Sequence, residues 1–292
     1  MPNQRLSSTT AITNSAGTVV VVLLGQPRGL QWGEAVEDAT DAIKNAAAQP
    51  CVSELAGEHR RGPFPAAAIG ISYGGGQKKP GNLRLGGPEI QNVLEDLIKN
   101  KGIQRLAGFA ANGFAAYAPR TYGCYNQTME ALLASHSDLR RNFKNSPWAA
   151  MTFNMGPQTV CFPHLDSGNL PWGWCGVTAL GEFDPDFGGH LVLWDLGLVI
   201  RFPPGATILI QSALMRHSNT LIHDGERRYS ITQYSAGGLF RWVENDLASD
   251  KQRDAEARRN PELKAKRDAA SATCWQTGLS MLSNQKEFWP QA

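Results

Sequence analysis

The feature that most constrains the fold is a change of texture at Pro147. Between residues 88 and 145 apolar side chains recur at helical spacing, which predicts helices over 89–99 and 126–141 and through the Gly- and Ala-rich stretch 109–118. Beyond Pro147 short apolar runs alternate with breakers: Gly156-Pro157, Gly181, Gly188-Gly189 and Pro203-Pro204-Gly205. Such dense punctuation suits short antiparallel strands and leaves no room for long helices. A helical block followed by a β block reads as α+β, with helices laid against a sheet or barrel.

The flanks extend this reading. Residues 18–24 form a β-branched run ended by Gly25 and Pro27 and predict a strand buried on both faces, whereas 32–48 carry the period of an amphipathic helix. Another short apolar run, 66–73, ends at Gly74-Gly75-Gly76, and 77–82 read as an exposed loop. Charges of both signs alternate over 244–268, as on a solvated helical face. The apolar residues Trp275, Leu279, Met281, Leu282, Phe288 and Trp289 predict that the chain end docks back. Residues 1–16 are polar and read as a disordered tail. The remainder, 17–292, reads as one domain: helical support mainly over 30–145, a β core over about 146–243, and C-terminal helices over 244–290.

Composition restricts the function classes. With 42% hydrophobic and 18% charged residues the chain can build a core. Lys plus Arg exceed Asp plus Glu by 28 to 26, so no global field marks a polyanion partner, and nucleic-acid binding would need a local patch. Lys78, Lys79 and Arg84 in the loop 74–84, and the pair Arg60-Arg61, are the candidates. Five scattered cysteines with no Cys-x-x-Cys argue against a disulfide framework or a zinc knuckle and favour a reducing, intracellular compartment, nuclear or cytoplasmic. The longest strongly apolar run, 19–24, is too short to span a membrane. No obligate protein partner is evident in the sequence.

The chemistry centres on Cys161-Phe162-Pro163-His164-Leu165-Asp166. On a β-strand residues two apart share a face, so His164 and Asp166 present an imidazole and a carboxylate together. A metal site needs a third ligand. His217 follows a β run and a turn, so a neighbouring strand can return it to the pair; His190 and His223 read as strand-end and turn residues, and His59 and His136 belong to the helical part. Two imidazoles and one carboxylate form the facial triad of non-haem Fe(II) oxygenases, which leaves three positions for co-substrate and O2. Eleven residues after His217, Arg228-Tyr229-Ser230 places a guanidinium and a hydroxyl on one strand face, a fork for a carboxylate.

The order His164-x-Asp166, Gly188-Gly189-His190-Leu191, Pro204-Gly205-Ala206-Thr207, His217 and then Gly225 to Ser230 resembles the double-stranded β-helix (jelly-roll) oxygenases that use Fe(II) and 2-oxoglutarate. Through His164-Leu165-Asp166-Ser167-Gly168-Asn169-Leu170-Pro171-Trp172-Gly173-Trp174-Cys175 it most resembles the fungal TET/JBP group, which oxidises methylated bases in DNA. The resemblance covers about residues 145–243. It implies an Fe(II)- and 2-oxoglutarate-dependent dioxygenase consuming O2, with His164, Asp166 and His217 as iron ligands and Arg228 and Ser230 on the distal carboxylate of 2-oxoglutarate. It further implies that Asn154 contacts the co-substrate, that Asn169 lies near the target base, and that the substrate is DNA carrying a 5-methylcytosine-like base. A dry interior lined by Trp172, Trp174 and Phe162 would suit such chemistry. Two departures stand out. The cysteine-rich zinc region of the animal group is missing, and Tyr234-Ser235-Ala236-Gly237-Gly238 runs where those enzymes carry a base-contacting histidine.

Overall fold

The computed structural model describes residues 8–55, 61–84 and 86–288. The chain opens with β1 (Thr10–Thr13) and β2 (Val19–Leu24), followed by helices α1 (Leu30–Ala47) and α2 (Pro50–Ser53) and strands β3 (Ala66–Ser72) and β4 (Gly81–Asn82). Three helices come next, α3 (Gly87–Lys99), α4 (Lys101–Tyr117) and α5 (Pro119–Ser135). The β block then runs β5 (Ala150–Asn154), β6 (Cys175–Glu182), β7 (Leu191–Leu193), β8 (Leu198–Ile200), β9 (Thr207–Ile210), β10 (His217–Asn219) and β11 (Arg227–Tyr234). Helices α6 (Gly237–Glu244), α7 (Asp250–Ala257) and α8 (Pro261–Ser280) end it.

The strands form an eight-stranded sheet, in the order β1-β2-β9-β6-β11-β5-β3-β4, and a three-stranded sheet, β10-β7-β8. All the strand pairs are antiparallel. This is an α+β fold with a jelly-roll core.

Alternation along each strand decides what meets what. In β2, Val22 and Leu24 join the helix-side core while Val21 and Leu23 join the cluster holding Leu191 and Leu193 of the small sheet. In β11, Tyr229 and Ile231 pack with Met151, Phe153 and residues of α1, α3 and α4. The other face of β11 therefore turns Arg228, Ser230 and Thr232 between the two sheets. Helix α4 shows why the support is helical: Ile103, Leu106, Ala107, Ala110, Ala111 and Phe114 are all buried at three- and four-residue spacing. Asn100 caps the helix by accepting from the Ile103 N–H at 2.9 Å. At about 1.5–3 kcal/mol for each large side chain removed from water, this face alone anchors the helix to the sheet.

Several boundaries differ from expectation: the helix read over 126–141 is α5 (Pro119–Ser135), and the loop read over 77–82 contains β4. Thr10–Thr13, placed in a disordered tail by the polarity of 1–16, is a strand paired with β2; three of its four residues are β-branched, and Ala11 and Ile12 pack against the core. Residues 1–7 lie outside the described residues. The large sheet is also not confined to 146–243, because β2 pairs with β9 and β3 pairs with β5, so the N-terminal half supplies strands as well as helices. At the other end the chain does dock back, with Arg120 bonding Glu287 at 2.8 and 2.9 Å and Thr121 bonding the Met281 carbonyl at 3.0 Å. Trp275 and Leu279 take no part in a core and stay about half exposed. Trp289 lies outside the described residues.

Candidate metal centre and anion pocket

His164 and His217 face each other through an isolated antiparallel bridge. Their backbones exchange both hydrogen bonds, at 3.0 and 3.1 Å. The segment 161–166, expected to be a strand, is not one: the single bridge ties it to β10, and Asp166 is fixed instead by its own N–H donating to the Ser212 carbonyl at 2.9 Å. The imidazole centroids lie 4.3 Å apart.

Each ring is oriented by the chain two residues before it. His164 Nδ1 lies 2.7 Å from the Phe162 carbonyl, and His217 Nδ1 lies 2.9 Å from the Met215 carbonyl. A carbonyl oxygen only accepts, so Nδ1 carries the proton in both rings and Nε2 presents its lone pair. These Nε2 atoms sit 3.9 Å from Asp166 Oδ1 and 4.0 Å from Asp166 Oδ2 respectively. One ligand atom from each residue fits within a 4.8 Å span. Burial, reinforced by the neighbouring imidazole of His217, lowers His164 to about 4, and burial also lowers His217. Both rings are therefore neutral at pH 7, the form that ligates a metal.

Beside this cluster a cavity between the sheets is lined by Arg61, Asn154, Cys161, Val177, Leu191, Arg228, Ser230 and Thr232. Arg228 is 2% exposed. Its Nη1 donates to the Thr159 carbonyl at 3.0 Å, and its Nε is buried without a partner among the described residues. Asn154, opposite Ser230 in the β5–β11 register, donates through Nδ2 to Ser230 Oγ at 2.9 Å, and its Oδ1 is likewise buried and unpartnered. Buried polar atoms of this kind normally have partners, so two orphans beside one cavity mark a place for a polar ligand. One carboxylate against two guanidiniums gives the cavity a formal charge of +1, and a divalent ion would raise it to +3. The donor set fits a divalent metal, and the free Nε edge of Arg228, whose guanidinium also lies over the Phe183 ring at 5.9 Å, fits a carboxylate.

No family profile and no curated protein sequence matches this chain. Among solved structures it is similar to NgTET1 in complex with 5mC DNA, with a TM-score of 0.58 and 14% identity over 79% of this chain and 77% of that one. The two share a fold. Lower similarities join it to OsALKBH1 (TM-score 0.39, 11% identity, 77% of this chain and 100% of that) and to an oxidoreductase of the 2OG-Fe(II) oxygenase family from Burkholderia pseudomallei (TM-score 0.37, 20% identity, 74% and 85%).

Other expected site residues fall elsewhere. Asn169 does not line the cavity; its Nδ2 donates to Cys175 Sγ and Ser212 Oγ, each at 3.2 Å, which secures the turn after Asp166. The three aromatic residues do not line it either. Trp174 is fully buried in the helix-side core near Phe114, Trp172 packs at the edge of that core, and Phe162 is 54% exposed. Alternation along 172–174 is governed by the helices behind it, which the local sequence does not reveal. His190 lies beside Thr220, His136 beside Ser135, and His223 is exposed; His59 and Arg60 lie outside the described residues. Lys78, Lys79 and Arg84 are exposed. Arg61, expected on a nucleic-acid surface, instead bonds Asp166 Oδ1 at 2.7 Å. All five cysteines are free thiols, and among the described residues no helix is long and apolar enough to cross a membrane.

Proposed function

We propose that this protein is an Fe(II)- and 2-oxoglutarate-dependent dioxygenase that oxidises a methylated, 5-methylcytosine-like base in DNA. The observation that carries the reading is the convergence of two preoriented imidazoles and one carboxylate beside a buried arginine whose Nε has no partner among the described residues. His164, Asp166 and His217 would hold Fe(II). Arg228 and Ser230 would take the distal carboxylate of 2-oxoglutarate, with the Asn154 amide beside it. Bound Fe(II) with 2-oxoglutarate and O2 would supply an oxidant able to break a C–H bond, with succinate and CO2 as co-products.

The chain's own part is orientation and charge. Phe162 and Met215 keep both Nε2 lone pairs turned inward, and Ser212 fixes the Asp166 backbone. Burial lowers Arg228 only to about 10, so it remains a cation at pH 7 and its charge is uncompensated until an anion arrives. Val177 and Leu191 line the same cavity and limit water. The likeness to NgTET1, seen with 5mC DNA, supports the DNA substrate.

A second reading, a hydroxylase of the same chemistry acting on a small molecule or peptide, is favoured by the turn after Asp166. Ala236 bridges the Asn169 backbone where a base-contacting histidine is expected from the resemblance, and the Asn169 amide is already engaged. Purified protein with Fe(II) and 2-oxoglutarate should release succinate, and mass spectrometry of methylated duplex DNA set against a metabolite panel separates the two substrates. Oxidised base in the DNA supports the first; succinate coupled only to a metabolite or peptide supports the second. No succinate with any substrate, or undiminished release by folded His164→Ala and Asp166→Ala variants, would refute both.

A further inference from the structure

Two turns deliver the carboxylate and one of the imidazoles. Asp166 opens the first, in which the Asn169 N–H donates to the Asp166 carbonyl at 2.9 Å. The second is closed by the Leu214 and Met215 N–H groups, both donating to the Gln211 carbonyl at 3.0 Å. It leads into His217 and carries the Met215 carbonyl that orients that ring.

A compact polar cluster joins the two turns, although Asn169 and Ser212 lie 43 residues apart in sequence. Asn169 Nδ2 donates to Ser212 Oγ and to Cys175 Sγ, each at 3.2 Å, and Ser212 Oγ donates to the same sulfur at 3.0 Å. Ser212 and Cys175 are 1% and 2% exposed. The Ser212 carbonyl adds its bond from the Asp166 N–H, so Ser212 grips the Asp166 turn with backbone and side chain together. On its other side the turn is anchored at the start of α6, where the Gly237 N–H donates to the Gly168 carbonyl at 2.9 Å.

The donors of Asn169 are fully used. A carboxamide nitrogen carries two N–H groups, and here one goes to Ser212 and the other to Cys175, so neither is left for a substrate. Loss of any one member would leave the buried polar atoms of the others unsatisfied.

We propose that Asn169 is a positioning residue for the metal site: by bonding Ser212 and Cys175 it locks the Asp166 turn onto the turn before His217 and holds the carboxylate beside the imidazole before an ion binds. This rests on the metal-site reading above. Asn169 need not touch a substrate to act in this way.

The test uses the full chain titrated with Mn(II), the free ion being read by electron paramagnetic resonance. Wild type and His217→Ala come first: failure of the wild type to bind, or equal binding by both, defeats the metal site and the proposal with it. Asn169→Ala and Ser212→Ala should each weaken Mn(II) binding about 10- to 100-fold. The double variant should lose little more than either alone, because both changes remove the same link. Cys175→Ser, which keeps an acceptor, should stay close to wild type. Thr121→Ala serves as control for a buried bond lost elsewhere, since its hydroxyl donates to the Met281 carbonyl at 3.0 Å, and it should leave Mn(II) affinity unchanged. Circular dichroism reports folding, and either single variant carries the test if the other fails to fold. Unchanged affinity in the folded variants overturns the proposal, and a loss matched by Thr121→Ala does so by making the effect one of general stability. Normal Mn(II) affinity in Asn169→Ala with lost binding of methylated duplex DNA also overturns it, making Asn169 a substrate contact.

Discussion

Arg228→Met separates a residue kept for a ligand from one kept for the fold. Burial lowers the folded-state guanidinium from 12.5 to about 10, which corresponds to about 3 kcal/mol of unfavourable charge burial. The folded value lies below the unfolded one, so the cost is present throughout the range below pH 10 and fades only as the pH rises from there toward 12.5. Against it stands the bond from Nη1 to the Thr159 carbonyl, about 1.5–3 kcal/mol for a charged donor. The two nearly cancel, so the metal-free variant should match the wild type to within about 1.5 kcal/mol, a Tm change of at most about 4 °C. Had Arg228 an acidic partner, losing it would cost about 3–5 kcal/mol. The co-substrate should feel that larger loss instead, with 2-oxoglutarate affinity falling roughly 100- to 5000-fold. Thermal denaturation of the metal-free proteins and calorimetry of 2-oxoglutarate binding to the Mn(II) forms give both numbers. A variant much less stable than wild type that still binds 2-oxoglutarate normally would refute the reasoning and make Arg228 a structural residue.

Three further outcomes are expected. Charge reversal at Lys78 and Lys79 should weaken binding to duplex DNA and lower the slope of log affinity against log salt by about 2, measured by fluorescence anisotropy; unchanged binding removes that loop from the interface. At pH 8 an alkylating reagent should label exposed Cys274 early and Cys175 last, since burial pushes the Cys175 thiol up to about 12 and leaves almost no thiolate; peptide mapping that finds Cys175 labelled first contradicts this. Gly62→Ala should destabilise the protein by about 1–3 kcal/mol in a denaturant titration, because its backbone angle and the Val160 carbonyl both exclude a Cβ; wild-type stability would mean the segment shifts freely.

Much of the site is legible because it follows local rules. Arg228 and Ser230 share a strand face, so period-two alternation brings them together before any tertiary contact is known; His164 and Asp166 are close in sequence, but the bridge to His217 and the bond to Ser212, not a strand, hold them. His217 is reachable as the histidine that ends a β run and a turn. Arg61 is not legible in the same way, since its bond to Asp166 depends on where a segment more than a hundred residues away crosses the cavity. Its only local sign is the following glycine. Trp172, Trp174 and Phe162 show the converse: aromatic content next to the ligands suggests a lined pocket, but the direction of each ring is decided by whether α4 and α5 or solvent lies behind it. β1 escapes a reading by polarity because an edge strand has one partner and can leave its other side in water.

The central claim, that His164, Asp166 and His217 hold one divalent ion, is tested most directly by a metal titration of three proteins. Wild type and His190→Ala should each bind one equivalent of Mn(II) with the same affinity, and His217→Ala should lose that binding while keeping its circular dichroism spectrum. Equal binding by His217→Ala, or loss of binding in His190→Ala instead, would contradict it.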